Sequence, residues 1–144
     1  MRESKFQTVL RVKLTKAGAM VFNVHGHAMQ EPGWPDLQVY SPMWTGHLEL
    51  KVGRGTLSVQ QRLKIKHLRL RLFPAWVLRE DGSLWDHDDV CAGKIDLLSD
   101  GVQIMDQLRR YSDSAGLLTS SYLRRIGKPR LKVEPFKCPP KPTN

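Results

Sequence analysis

Two short alternating segments, DLQVY (36–40) and HLELKV (47–52), flank the linker SPMWTG and constrain this chain more than any other feature. Period-two alternation on both sides of a Pro/Gly-containing linker predicts a β-hairpin with a longer turn. If the turn centres near Met43, antiparallel partners have numbers summing to about 87. Tyr40 then faces His47, Gln38 faces Glu49 and Asp36 faces Lys51. Side chains two apart share a face of a strand. Asp36, Glu49 and Lys51 therefore project from one side, and Leu37, Val39, Leu48, Leu50 and Val52 from the other. Asp36 lies diagonal to Glu49 in this register, roughly 7–8 Å between backbones, near enough for both carboxylates to reach one ion. A slip of one residue would separate the set.

The segments around the hairpin extend the pattern. In residues 3–17, Phe6, Leu10, Leu14 and Ala17 recur at helical spacing and Gly18 suits a helix C-terminus, which predicts a first helix. AMVFNV (19–24) predicts a buried strand, and HGHAMQEPGWP (25–35) a loop. LSVQQRLKIKHLRLRLF (57–73) alternates in part like a strand. Ser58 with Gln61 makes a capping box, however, and Gln61, Ile65, Leu68 and Leu72 share one helical face, so a helix is expected up to Pro74. AWVLR (75–79) is a further strand. The expected order is α-β-β-β-α-β. Beyond Glu80 the reading is a turn and an acidic loop, then short helices over 100–111 and 114–126. Residues 127–144 hold five of the nine prolines and read as an extended tail.

The charge is unevenly placed. Residues 1–79 hold 13 Lys/Arg and 4 Asp/Glu, residues 80–123 hold 3 and 9, and residues 124–144 hold 7 and 1. With a net charge of +9, this layout favours a polyanionic partner such as nucleic acid. Carboxylates embedded in so basic a first block, namely Glu3, Glu31, Asp36 and Glu49, invite a functional explanation. No apolar run is long enough to span a membrane. The first residues lack the apolar block of a secretory signal. With only Cys91 and Cys138, far apart, neither a disulfide framework nor a structural zinc site is expected, and a cytoplasmic setting follows.

Two carboxylates beside a lysine form a hard, oxygen-rich site suited to Mg²⁺, with Mn²⁺ able to substitute. Such an ion can orient a phosphodiester and stabilise charge on phosphorus. The bland alternative is a surface hairpin with a cross-strand Asp–Lys pair and a spare glutamate. Other candidates carry less. His25-x-His27 lacks a third ligand nearby, and Asp86-His87-Asp88-Asp89 reads as a solvated acidic loop. His47 shares the predicted face of Glu49 and Lys51. Arg54, Arg62, Lys64 and Lys66 follow the hairpin closely and, with His25, are candidates for holding a DNA backbone, while Trp34 is a candidate for stacking on a base.

The ordered string Gly33, Pro35, Asp36, then Glu49, Leu50, Lys51, Val52, Gly53, then Leu57, Ser58 and Gln61 resembles the PD-(D/E)XK nuclease superfamily. It is most similar to the small standalone virus-type replication–repair nuclease (VRR-NUC) group, and the likeness spans residues 2–79. The resemblance implies an α/β, restriction-endonuclease-like core with a mixed sheet flanked by helices. The domain limits expected are 1–90 for the core, 91–126 for a helical extension that could form dimers, and 127–144 for the tail. It implies Asp36 and Glu49 as metal ligands, the Leu50 backbone carbonyl and Glu3 as further ligands, Lys51 as the catalytic lysine and Gln61 as a site residue. Glu3 reads equally as a favourable charge at a helix N-terminus, and Gln61 as the capping-box partner of Ser58. The loop before Pro35-Asp36 departs from the glycine-rich form of many relatives. The implied activity is Mg²⁺-dependent hydrolysis of DNA, selective for branched structures such as Holliday junctions, by a homodimer. The alternative is a non-catalytic nucleic-acid-binding or regulatory protein that keeps the fold.

Overall fold

In the computed structural model, residues 2–24 and 31–119 are described. They form three helices and one six-stranded sheet in the order α1 (Glu3–Lys16), β1 (Met20–Asn23), β2 (Leu37–Tyr40), β3 (Gly46–Lys51), α2 (Val59–Leu70), β4 (Ala75–Arg79), β5 (Ser83–Trp85), β6 (Cys91–Lys94) and α3 (Gly101–Ser114). The strands lie side by side in sequence order. Every neighbouring pair is antiparallel except β3–β4, which is parallel and joined through α2. That exception follows from chain geometry, because parallel neighbours need a crossover long enough to return to the same end of the sheet.

The alternation of the hairpin sorts the two faces. Leu37, Val39, Leu48 and Leu50 point into the main core with Trp76 and Leu78 from β4. Phe6, Leu10 and Leu14 of α1 and Ile104, Met105 and Leu108 of α3 cover that face. On the opposite face Ala75 and Val77 meet Ile65 of α2 in a smaller cluster. Within the larger core, the indole N–H groups of Trp44 and Trp76 both donate to the Ser112 hydroxyl at 3.0 Å. All three residues are buried, so one hydroxyl satisfies two donors that water does not reach.

Several expectations are corrected. The hairpin register pairs Leu37 with Leu48, Gln38 with His47 and Val39 with Gly46, so partners sum to 85 and not 87. The turn is set by Ser41, whose hydroxyl accepts from the amides of Met43 and Trp44 and donates to the Trp44 carbonyl, pulling the turn back by one residue. A shift of two in the sum keeps every side chain on its expected face. The strand expected to be buried, β1, is an edge strand, with Met20 and Phe22 exposed on it and only Val21 packed against the core. Helix α2 stops at Leu70, and Leu72 has φ 68°, outside the helix. Where a turn and acidic loop were expected, β5 and β6 extend the same sheet, so the sheet runs past residue 90. The first of the two short helices expected, 100–111, is α3 and runs on to Ser114, capped by the Asp100 carboxylate accepting from the Gln103 amide, and residues 115–119 are not helical. The 120–126 part of that expectation and the 127–144 tail lie outside the described residues.

Candidate metal centre

The register correction brings the two hairpin acids closer than expected. Continued by one residue, it sets Asp36 directly opposite Glu49 instead of diagonal to it. The backbone locks this arrangement: the Leu50 amide donates to Asp36 Oδ2 at 2.8 Å, and the Asp36 amide donates to Glu49 Oε2 at 3.2 Å. Both side chains are buried. Glu3, less buried and carried by the first turn of α1, completes the group. One carboxylate oxygen from each of Glu3, Asp36 and Glu49 lies within 4.8 Å of the others. Among the described residues this is the one such cluster of His, Cys, Asp or Glu ligand atoms.

Lys51 and Gln61 close the group from the α2 side. Lys51 Nζ lies 3.4 Å from Glu49 Oε1 and donates to Gln61 Oε1 at 3.2 Å. Gln61 Nε2 donates to the same Glu49 oxygen at 2.9 Å. Gln61 is also the reciprocal member of the capping box: its Oε1 accepts from the Ser58 amide and its own amide donates to Ser58 Oγ. One end of the amide thus meets the helix terminus and the other the glutamate.

The loop into Asp36 has its own device. Gly33 has φ 94°, and a Cβ there would sit 2.5 Å from the Gln60 carbonyl oxygen. Only glycine allows the chain to cross the start of α2 so closely. Pro35 and Asp36 then enter the sheet buried.

Electrostatics describe a site short of positive charge. Burial, and next the Asp36 carboxylate, push the Glu49 carboxyl up to about 8, against the opposing pull of Lys51. Burial lowers the His47 imidazole below its ordinary value. An all-oxygen donor set is what a hard divalent cation takes, and ligand distances of about 2.0–2.6 Å imply oxygens up to about 4–5 Å apart across the ion. The three carboxylates fit that span, and a cation between them would offset both the burial and the Asp36 charge that raise Glu49. Leu50 buries its side chain in the core between the two site residues.

The expected DNA contacts are only partly grouped. Lys64 pairs with Glu31 at 2.8 Å, with its ammonium 4.6 Å from the centre of the Trp34 ring. Arg62 pairs with Asp89 at 2.8 Å and also donates to the His87 carbonyl. Arg54, on the turn after β3, and Lys66 are exposed. His25 lies outside the described residues, as does His27. Trp34 packs against His47, ring centres 5.8 Å apart. The acidic loop is ordered by the Asp86 carboxylate, which accepts from the amides of Asp88 and Val90.

The sequence reading set Gln38 opposite Glu49 and Tyr40 opposite His47 but gave neither a role in the site. Gln38 and Tyr40 line a cavity of about 500 Å³ beside the acids, together with Trp34 and His47. Comparison with family profiles, curated proteins and solved structures finds no match to this chain.

Proposed function

We propose that the protein is a metal-dependent DNA endonuclease with a PD-(D/E)XK, restriction-endonuclease-like core, hydrolysing phosphodiester bonds in branched or otherwise structured DNA. The convergence of Glu3, Asp36 and Glu49 within 4.8 Å, with Lys51 Nζ 3.4 Å from Glu49, carries this reading. Asp36, Glu49 and Glu3, with the Leu50 carbonyl, are assigned to hold Mg²⁺, or Mn²⁺ in its place. When bound, the cation supplies Lewis-acid stabilisation of the charge that develops on the scissile phosphate. Lys51, beside the glutamate, adds a second positive charge toward the same phosphate. Gln61 keeps Glu49 Oε1 oriented, because its amide is itself fixed by Ser58. Water then adds to phosphorus in line, losing a proton to solvent, as the bond to the leaving sugar oxygen breaks and that oxygen takes up a proton from solvent. The basic excess of residues 1–79 supports a DNA partner. Symmetric cutting of a four-way junction calls for a homodimer with paired sites.

The test is incubation with Mg²⁺ or Mn²⁺ and a panel of linear, flapped and four-way DNAs, alongside Lys51→Ala and Asp36→Asn. Cutting that disappears in both variants is the expected result. Cutting that both variants retain, or binding without cutting on every substrate, overturns the proposal.

A further inference from the structure

The cavity of about 500 Å³ beside the acids has a composition unlike the rest of this basic chain. Its wall includes four rings, Trp34, Tyr40, His47 and Phe73, and the polar side chains of Gln38 and Thr45. Among the described residues, no Lys, Arg, Asp or Glu lines it. Tyr40 and Phe73 are 42% and 47% exposed, a large aromatic area to leave open to water. Its size lies within the range of small-ligand pockets, about 300–1,000 Å³. The missing charges argue against a phosphate as occupant, and the rings favour something flat and uncharged with hydrogen-bonding edges.

Position narrows the occupant further. Gln38 pairs with His47 across β2 and β3, and the next pair on that face, two residues along, is Asp36 with Glu49. Two residues of strand span about 6.6–6.8 Å, so the cavity begins about that far from the acidic triad. At the rim, Lys64 sits on the Trp34 ring, offering a cation where a backbone would pass. The Gln38 amide donates to the Tyr40 hydroxyl, leaving the amide oxygen as a candidate acceptor toward the cavity.

We propose that this cavity receives the base of an unpaired nucleotide next to the scissile phosphate. The pocket thereby makes the site selective for DNA with at least one unstacked nucleotide. The inference rests on the nuclease reading for the phosphate but not for the pocket. A base inside a duplex is held by its stack and its partner, whereas an unpaired base at a flap or branch enters without that cost. Base–aromatic stacking is tolerant of sequence, so the selectivity is for structure.

The full chain is tested by fluorescence anisotropy in EDTA against a labelled oligothymidylate and an abasic strand of the same length. The same two strands are then assayed for cutting with Mn²⁺. The strand with bases is expected to bind on the order of tenfold tighter. Phe73→Ser and Trp34→Leu, each checked for folding by thermal melting, are expected to bring the two affinities together. Equal affinities in the parent protein, or a preference kept by both folded variants, overturn the pocket. Cutting of both strands without any preference sinks the pocket and leaves the nuclease reading standing. Base-dependent binding with no cutting of these strands or of the flapped and four-way DNAs keeps the pocket and sinks the nuclease reading.

Discussion

The Asp36 amide donates to the Glu49 carboxylate at 3.2 Å, so the residue that supplies one acid of the site also anchors the other. The return bond, from the Leu50 amide to Asp36 at 2.8 Å, makes the pair reciprocal. Neither carboxylate can move without breaking the hairpin's end, which is the kind of preorganisation a metal site needs.

That anchoring holds Glu49 where its charge is unfavourable, with a consequence for pH. Its carboxyl is raised from 4.5 to about 8 in the folded chain, so the folded state binds more protons than the unfolded state between those values. Stability conferred by this group therefore falls as pH rises through that window. His47, lowered from 6.5, acts in the opposite sense below that value, because there the unfolded state binds more protons. Over the interval from pH 6.5 to about 8 the Glu49 contribution outweighs that of His47, whose unfolded imidazole is at most half protonated there. The melting temperature of the metal-free protein is expected to fall across it, and Glu49→Gln to flatten the slope. Mg²⁺ is expected to stabilise more at the upper end than at the lower, since binding must displace the proton. A slope that is unchanged in Glu49→Gln contradicts the assignment.

Gln61 joins a helix terminus to the acidic site, and two substitutions separate those roles. Ser58→Ala removes the cap and is expected to cost about 1 kcal/mol. Gln61→Ala removes its half of the box and the bond to Glu49, for about 1.5–3 kcal/mol. Only the second is expected to weaken Mn²⁺ binding, read as a loss of metal-induced stabilisation in thermal melts. Equal losses of metal response in both variants would reduce Gln61 to a capping residue.

Gly33 is expected to resist any side chain. Gly33→Ala places a Cβ 2.5 Å from the Gln60 carbonyl oxygen and strains a φ of 94°, so backbone must shift. The left-handed conformation alone costs about 1–2 kcal/mol. Because Asp36 follows three residues later, the proposed nuclease activity is expected to drop more than stability does. Parent-like cutting by a folded Gly33→Ala would show that this crossing does not position Asp36.

Ser112→Ala tests the core independently of the site. It leaves the buried indole N–H groups of Trp44 and Trp76 without their shared acceptor. An unsatisfied buried donor costs about 1–3 kcal/mol, so urea unfolding is expected to show a loss of about 2–4 kcal/mol for the pair. A loss under about 1 kcal/mol would mean that the indoles find other acceptors.

The hairpin faces, the capping box and the spacing from Asp36 to Lys51 were legible because each depends on residues close in sequence. The register was not. It turned on the Ser41 hydroxyl closing a turn against Met43 and Trp44, a side-chain choice that alternation does not encode. Strand β5 is three residues long and β6 reads CAGK, so neither carries a period and both exist through pairing with the growing sheet. The edge position of β1 was hidden for a related reason: an apolar run reads the same whether one side of it is covered or two. Spacing alone put Glu3 on a helix, and only the family resemblance set it with Asp36 and Glu49, since that meeting spans more than thirty residues and depends on how α1 docks.

The first turn of α1 gives the site an uneven grip. Arg2 offers no side-chain hydrogen bond to the helix terminus, so the turn bearing Glu3 is the part of the triad most prone to fray. Among the described residues, Asp36 and Glu49 are riveted by strand amides, whereas no such bond holds the Glu3 carboxylate. A cation seated between them would stitch that loose turn to the sheet, so ion capture and the ordering of the helix tip become a single event.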